Sequence, residues 1–199
     1  MNTEIIDHFQ RTWKDYDERY DAHPALYQSE LAALKKVVPS GVGLEIGVGT
    51  GRFAAPLGVR FGLDPAIIML QLAKKRRIRV VQGLGESLSF EDESFDFVEN
   101  LLLFLREAVR TLRKNGTLIL GFVDKNSRWG RYYSQGPSYR KFFHPPSPKE
   151  ILDILEKIGM EFQEAFQALF QPPPDISKKE NPRPVFGEGG FVVFKAVKT

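Results

Sequence analysis

The sequence predicts an α/β fold, in which a doubly wound and mostly parallel sheet carries helices on both faces. Two observations lead to this prediction. Short apolar runs of strand length alternate with stretches of helical spacing over residues 43–123, and a glycine-rich turn at residues 47–51 joins the first strand to the first helix of that series. Such βαβ alternation requires parallel strands joined by crossover connections. We expect one domain over residues 1–199, with a helical segment in front of the sheet.

The N-terminal segment, residues 1–40, is predicted to form two helices. Apolar and aromatic side chains recur at helical spacing along the first helix, and Tyr16 and Tyr20 lie on that stripe. Pro24 separates the two helices. The apolar stripe of the second helix consists of Leu26, Leu31, Leu34, Val37 and Val38.

The central part of the chain, residues 42–124, is predicted to hold five strands and three helices. Each strand is a short apolar run, and each helix follows a turn or a proline. The predicted strands are residues 43–46, 59–63, 79–82, 95–99 and 117–123. The predicted helices are residues 52–57, where Pro56 cuts or bends the helix, 65–77 and 103–112.

The C-terminal part differs in character. Residues 125–146 are basic and aromatic, which predicts a lid-like excursion from the sheet. Residues 147–199 are predicted to begin with a helix, because Ser147 precedes Glu150 by three residues, the spacing of a capping box. Two closing strands are predicted at residues 161–170 and 191–197, separated by a charged, proline-rich loop.

Composition excludes several classes of protein. The absence of cysteine rules out disulfides, thiolate metal sites and cysteine nucleophiles, and three dispersed histidines give no metal-ligand spacing. No apolar stretch approaches the roughly 20 residues of a spanning helix, and no secretory signal is recognised at the N-terminus. A net charge of +3 identifies no polyanionic partner. We therefore expect a cytoplasmic protein without a metal or a membrane partner.

The glycine-rich turn is the strongest functional signal. Gly47, Gly49 and Gly51 lack a Cβ, so a ligand can approach the backbone there closely. Glu45 precedes Gly47 by two residues and therefore points to the same face of the strand, where its carboxylate can meet an ammonium group. Asp64 ends the second strand, where a doubly wound sheet places an acceptor for ribose hydroxyls. The alternative role of Asp64 is to cap the next helix.

Two other nucleotide-binding patterns are absent. Arg52 stands where the dinucleotide fingerprint needs its third glycine, and no Gly-Lys-Ser/Thr follows the turn as in a phosphate-binding loop. The pattern that remains is ExGxGxG.

Through these residues the chain resembles the class I S-adenosylmethionine (SAM)-dependent methyltransferases, in particular the small single-domain kind with a UbiE-like core. The resemblance rests on Gly-Leu-Glu-Ile-Gly-Val-Gly-Thr-Gly-Arg-Phe at residues 43–53, Leu-Asp-Pro at residues 63–65 and Phe-Asp-Phe-Val at residues 95–98. It implies a seven-stranded Rossmann-like sheet and a cofactor-binding core at residues 42–124. It also implies transfer of a methyl group from SAM, with S-adenosylhomocysteine (SAH) as product, to a small-molecule acceptor.

The resemblance implies cofactor contacts in four places: the glycine loop for the methionine part, the end of the second strand for the ribose, the segment after the third strand for the adenine, and the end of the fourth strand. The residues concerned are Glu45, Gly47, Val48, Gly49, Gly51, Asp64, Pro65, Gly85, Glu86 and Asn100.

Two departures from the family pattern stand out. Leu84 replaces an aspartate that would accept the adenine amino group. The loop between Glu99 and the next predicted helix is about ten residues shorter than the family's. The short loop indicates either that part of the acceptor pocket is lost or that the sequence omits a mobile segment here. The two departures also leave open a second interpretation, a noncatalytic SAM-binding module.

Methyl transfer is an in-line displacement, so alignment and exclusion of water matter most, and no catalytic residue is predicted. Aromatic side chains can stabilise the cationic sulfonium, and we take four tyrosines as candidate substrate-facing residues, with packing as their alternative role. They are Tyr16, Tyr20, Tyr132 and Tyr139. His144 or Glu99 could act as a base if the acceptor needs one. Nucleic acid is not expected as a substrate, because no Asn/Asp-Pro-Pro-Tyr/Phe segment is present to hold a flipped base.

Overall fold

The computed structural model describes residues 3–100, 105–136, 144–174 and 176–199. Its centre is a sheet of eight strands. These are β1 (Gly43–Ile46), β2 (Phe61–Asp64), β3 (Arg79–Gln82), β4 (Phe95–Asn100), β5 (Leu112–Val123), β6 (Met160–Ala168), β7 (Arg183–Pro184) and β8 (Phe191–Lys198).

The strands follow the order β3-β2-β1-β4-β5-β8-β6-β7. The first five are parallel, and β8, β6 and β7 continue the sheet in antiparallel pairs. The predicted doubly wound, mostly parallel sheet is confirmed. The sequence runs outward from β1 to β3 on one side and restarts at β4 on the other, so the carboxyl ends of β1 and β4 form a topological switch point, where open α/β sheets bind ligands.

The helices among the described residues are α1 (Thr3–Ala22), α2 (Pro24–Leu34), α3 (Ala54–Leu57), α4 (Ile67–Lys75), α5 (Leu105–Thr111), α6 (Arg128–Tyr133) and α7 (Pro148–Lys157). The predicted N-terminal pair is confirmed, with Pro24 as the first residue of α2. None of these helices is long and apolar enough to cross a membrane. Ser147 and Glu150 form the predicted capping box before α7, which is worth about 1 kcal/mol.

Several predicted boundaries were wrong. The fifth strand starts at Leu112 rather than at residue 117, because the chain enters the sheet directly after α5 and an irregularity between Phe95 and Phe97 absorbs the offset. The turn signal Asn115-Gly116 lies inside β5, where Asn115 adopts a φ of 63°. Pro56 neither cuts nor bends α3, since it lies in the first turn, where no backbone donor is needed. Gly58, with a φ of 74°, ends the helix instead.

Other elements are shorter than predicted, or additional. The second strand begins at Phe61 rather than at residue 59, and the following helix spans only Ile67–Lys75. The loop after β6 contains one strand more than the seven predicted. This strand, β7, was missed because Pro184 argues against a strand. An edge position tolerates that proline, since one side of an edge strand needs no donor. Residues 101–104 and 137–143, where parts of a predicted helix and of the lid fall, lie outside the described residues.

The sheet is buried on both faces, which explains its continuous apolar runs. Leu118 and Leu120 of β5 pack into one hydrophobic cluster, with α5 and α7, while Ile119 packs into the other, with α2 and α4. All three are fully buried. The candidate site lies at the switch-point edge of this two-sided core.

Candidate functional site

The glycine loop between β1 and α3 lies at the switch point. The backbone N–H groups of Gly47 and Val48 both donate to the carbonyl of Leu63, over 2.7 and 3.0 Å, and Gly51 N–H donates to Val48 O over 2.8 Å. These bonds tie the loop to the end of β2. The loop is therefore held in place before any ligand binds.

The glycines of this loop serve two different purposes. Gly47, Gly49 and Gly51 all adopt left-handed φ values, of 79°, 52° and 75°, which favour glycine. A Cβ on Gly47 would meet nothing within 4 Å, whereas a Cβ on Gly51 would lie 2.5 Å from Ile78. Gly51 thus allows close packing against the core, and Gly47 borders open space that a ligand can fill.

Asp64 connects the glycine loop to the start of α4. Its Oδ2 accepts a hydrogen bond of 3.0 Å from Gly49 N–H, and its Oδ1 accepts one of 2.8 Å from Ala66 N–H. Burial raises the pKa of Asp64, and the two amide donors oppose that rise. The carboxylate braces the loop and caps the turn. Each oxygen keeps a second lone pair, which can accept a hydroxyl.

Glu45 and Glu99 form a buried carboxyl pair beneath the loop. They lie directly opposite each other in the β1–β4 register and are only 3% and 2% exposed. Burial raises the pKa of both side chains, that of Glu99 to about 7, and the neighbouring charge of Glu99 adds to the rise for Glu45. Two adjacent buried carboxyls cannot both ionise easily, so we infer that they share a proton. In each, Oε2 has no hydrogen-bond partner among the described residues.

Helix α1 covers the glycine loop. The ring of Tyr16 lies 3.8 Å from the position that a Cβ on Gly49 would take. Tyr16 and Tyr20 pack edge to face at 5.4 Å, and Tyr20 packs at the same distance against Phe53, just after the loop. Both predicted tyrosines thus lie on the face of α1 that covers the loop.

An ion-pair network fastens α1 to the end of this loop. Asp17 accepts hydrogen bonds from Thr50 Oγ1 at 2.6 Å, Arg52 Nε at 3.1 Å and Arg76 Nη2 at 2.9 Å. Although burial opposes it, these donors together lower the pKa of Asp17. Asp21, one turn further along α1, binds Arg52 Nη1 at 2.8 Å. Sequence reading missed this network, although carboxylates spaced by four residues and an arginine after the loop were its available signals.

Helix α6 contacts α1 through Arg19 and Tyr133. Arg19 Nη2 donates to the hydroxyl of Tyr133 over 2.6 Å, and its guanidinium lies 5.0 Å from the centre of that ring. Trp129 is buried and donates from Nε1 to Gln171 O at 2.8 Å, so its role is structural. Helices α1 and α6 therefore meet above the carboxyl edge of the sheet.

Comparison with known proteins identifies the family. The profile of the family described as "Methyltransferase domain" matches residues 44–120. A Thermotoga maritima protein, whose crystal structure is described as that of a SAM-dependent methyltransferase and possible histamine N-methyltransferase, is 38% identical. That match covers 96% of this chain and 98% of that one, with a TM-score of 0.89. The chain belongs to the class I SAM-dependent methyltransferases. Its cofactor is SAM.

Two further proteins are similar to this chain over nearly their whole length. An uncharacterized protein of Methanocaldococcus jannaschii is 37% identical to the methyltransferase over 202 residues, covering 96% of this chain and 98% of the relative. The magnesium protoporphyrin IX methyltransferase of Synechocystis PCC 6803, solved with bound SAH, shares the fold at 15% identity. Its TM-score is 0.69, and the match covers 99% of each chain.

The loop region of the methyltransferase fits the methionine part of SAM on two grounds. Gly47 leaves open space at the loop, and the orphaned Oε2 atoms of Glu45 and Glu99 supply buried acceptors for an ammonium group. Asn100 pairs with Ile46 in the β1–β4 register, so its backbone lies at the same edge.

The segment predicted to border the adenine lies beside the end of β2. Gly83 N–H donates to Asp64 O over 3.3 Å, which brings the segment after β3 next to Asp64. Leu84, which departs from the family pattern, is 39% exposed, and Gly85 beside it is buried. Glu86 is exposed, and Pro65 O accepts a hydrogen bond of 3.1 Å from Gln82.

The candidate acceptor residues are spread more widely. Tyr132 is 41% exposed on α6, and Tyr139 lies outside the described residues. His144 follows residues 137–143 and is exposed, whereas Glu99 is buried beside Glu45. A further carboxylate, Glu30 on α2, is 7% exposed and was missed by sequence reading.

Proposed function

We propose that the protein transfers a methyl group from the sulfonium of SAM to a small-molecule acceptor. The observation that carries this proposal is the juxtaposition of an open glycine loop at Gly47 with the unpartnered buried oxygens of Glu45 and Glu99. It lies at the switch point of the sheet, where this fold binds ligands.

The cofactor site is assigned by position. Glu45, with Glu99, accepts the ammonium of the methionine part above Gly47, Val48 and Gly49, and Asp64 with Pro65 faces the ribose. Gly85 and Glu86 border the adenine, Asn100 lies at the mouth, and Gly51 supports the loop from behind. When bound, SAM supplies an electrophilic methyl group. No step of methyl transfer itself requires a proton donor, so the protein's task is to align the reactants and exclude water.

The acceptor side is assigned to the space under α1 and α6. Tyr16 and Tyr20 lie on the α1 side of this space, and their electron-rich rings favour cationic groups. The related Thermotoga maritima protein carries a description that names a nitrogen acceptor, and nitrogen is compatible with this chemistry. A nucleic acid is not proposed as the acceptor, because the chain has no Asn/Asp-Pro-Pro-Tyr/Phe segment to hold a flipped base.

A second candidate function is a noncatalytic SAM-binding module. It is favoured by Leu84, which removes an acceptor for the adenine amino group, since a weakened cofactor site would be tolerated in a protein that does not turn over. The two functions share the loop and differ in whether a methyl group leaves the cofactor.

The test combines binding with transfer. Calorimetric titration with SAH measures cofactor binding, and incubation with methyl-labelled SAM and a metabolite extract measures transfer. We expect one binding site and label in a small-molecule fraction; binding without label would favour the noncatalytic module. Gly47→Ala should weaken SAH binding about tenfold or more, because the added methyl enters the ligand space. Gly58→Ala is the matched control, since Gly58 has nearly the same φ and equally open surroundings, but ends α3.

A further inference from the structure

A cavity lies at the carboxyl edge of the sheet, beside its antiparallel strands. Its volume is about 260 Å³, just below the roughly 300–1,000 Å³ of typical ligand pockets, so it suits a small ligand or a single head group. Val123 at the end of β5 and Ala168 at the end of β6 both pair with Phe191, the first residue of β8, so the segments that flank these strands meet at this edge. The walls come from α6, the segment after β6, β7 and the residues before β8. None of the residues assigned to SAM is among the described residues that line the cavity.

The cavity wall is built by contacts within the chain. Trp129 is 1% exposed, and its bond from Nε1 to Gln171 O ties α6 to the segment after β6. Glu180 accepts hydrogen bonds from the backbone N–H groups of Phe170 and Gln171 over 2.8 and 2.9 Å. A Cβ on Gly190 would lie only 2.3 Å from Trp129, so glycine is required where the chain enters β8. These contacts shape the wall without any ligand.

Two arginines bring unused donors to this wall. The guanidinium of Arg183 lies 4.1 Å from the centre of the Phe170 ring, and its Nη1 lies 3.3 Å from Glu188 Oε2. Its other guanidinium nitrogens have no hydrogen-bond partner in the described part of the chain. Arg128 is exposed and makes no hydrogen bond or ion pair with any described residue. Glu188 is the one acid among the described lining residues, so two cations face one carboxylate.

Two guanidinium groups on one cavity have the chemistry of a phosphate site. Each guanidinium presents paired donors in a planar fork that matches an oxyanion. The two oxygens of a carboxylate are satisfied by one fork, whereas the additional oxygen and charge of a phosphate can engage a second. We propose that Arg128 and Arg183 together bind the phosphate group of a small ligand, either inorganic phosphate or a phosphate monoester. SAM contains no phosphate, so this ligand is not the cofactor, and the site goes beyond the proposed function.

The test uses Trp129 as a fluorescent reporter of the cavity that it lines. The chain has two tryptophans, so Trp13→Phe leaves Trp129 as the single one. This full-length variant is titrated at constant ionic strength with inorganic phosphate, glycerol phosphate and acetate. We expect both phosphates to change the Trp129 emission saturably and acetate to bind far more weakly. Tighter binding of glycerol phosphate would identify the ligand as a phosphate monoester, and equal or tighter binding of inorganic phosphate would identify it as the free ion.

Substitutions at the cavity should change phosphate binding in opposite directions. Arg128→Gln and Arg183→Gln should each weaken it about tenfold, the loss expected for a hydrogen bond to a charged group. Glu188→Gln should strengthen it, because a like charge is removed from the wall. Arg131→Gln is the matched control, since Arg131 is exposed on the same helix but does not line the cavity. A merely structural role of these side chains would not produce opposite changes.

Three results would overturn the assignment. Neither phosphate might change the emission saturably, acetate might bind as tightly as phosphate, or Arg131→Gln might weaken binding as much as Arg128→Gln, which would indicate attraction by net charge alone. Calorimetric titration of Arg128→Gln with SAH keeps the two proposals apart. We expect SAH to bind this variant as it binds the wild type, because Arg128 lies outside the residues assigned to the cofactor.

Discussion

Glu30→Gln should make the protein more stable at neutral pH. Burial raises the pKa of Glu30 to about 8 in the folded protein, against 4.5 for an unperturbed glutamate. Because the pKa of Glu30 is higher in the folded state than in the unfolded state, folding opposes ionisation of this carboxyl. The contribution of Glu30 to stability is therefore fully present below pH 4.5 and is lost as the pH rises through the window from 4.5 to 8. At pH 7 Glu30 is ionised in the unfolded chain but mostly protonated in the folded protein. This difference lowers the unfolding free energy by about 3 kcal/mol at pH 7 and by about 1.5 kcal/mol at pH 5.5. Glutamine has nearly the same shape and does not ionise.

Urea unfolding at pH 5.5, 7 and 8.5 measures this effect through the free energy of unfolding of the wild type and of Glu30→Gln. The variant should gain about 3 kcal/mol at pH 7, about half as much at pH 5.5, and more at pH 8.5. Glu18→Gln should change little at any pH, because Glu18 is exposed. A Glu30→Gln variant that is less stable than the wild type at pH 7, or that shows the same pH slope, would refute the reasoning and indicate that Glu30 has a structural partner.

Three further predictions concern the Asp17 network, the buried carboxyl pair and the capping box. Asp17→Asn should lower the unfolding free energy by about 2 kcal/mol in urea titration, because it removes the carboxylate partner of Arg76 and leaves Arg52 with only the exposed Asp21. Asp21→Asn, at an exposed position, should lower it far less, and equal effects would argue against the network. SAH-free protein titrated with SAM at pH 7 in phosphate and in Tris should show release of up to about one proton, because a bound ammonium lowers the pKa values of the Glu45–Glu99 pair. Proton uptake would contradict that assignment. Ser147→Ala should cost about 1 kcal/mol in thermal unfolding, and no loss would mean that the capping box is not formed in solution.

The parts of the fold that depend on local pattern could be predicted from the sequence. The glycine loop, the break at Pro24 and the capping box at Ser147 each arise from a few neighbouring residues whose geometry has one good solution. The placement of Asp64 at the end of β2 follows in the same way, from strand length and the proline after it.

What could not be predicted depends on register and on long-range contact. Glu99 faces Glu45 only because β4 pairs with β1 in one particular register, which no local pattern specifies. Asp17 meets Arg52 and Arg76 only after α1 folds back over the loop. Neither pairing could be read from the chain before its topology was known.

The position of Glu30 was within reach and was missed for a different reason. The predicted stripe followed the large apolar side chains Leu26, Leu31 and Leu34, but Leu31 is only half-buried. The buried face is Leu26, Ser29, Glu30, Ala33 and Leu34, which has ideal helical spacing once polar residues are allowed on it. A polar residue at a buried position of the helix was the signal that the apolar stripe overlooked.

The most direct test of SAM-dependent function is thermal unfolding of the purified protein with SAM, SAH, NAD or ATP, each added in large excess. A ligand at about 100 times its dissociation constant adds about 2.7 kcal/mol to the unfolding free energy, a rise of several degrees in Tm. We predict that SAM and SAH raise the Tm and that NAD and ATP leave it unchanged. No rise with either SAM or SAH would contradict the account, and would leave the chain with the fold of a methyltransferase but without its cofactor.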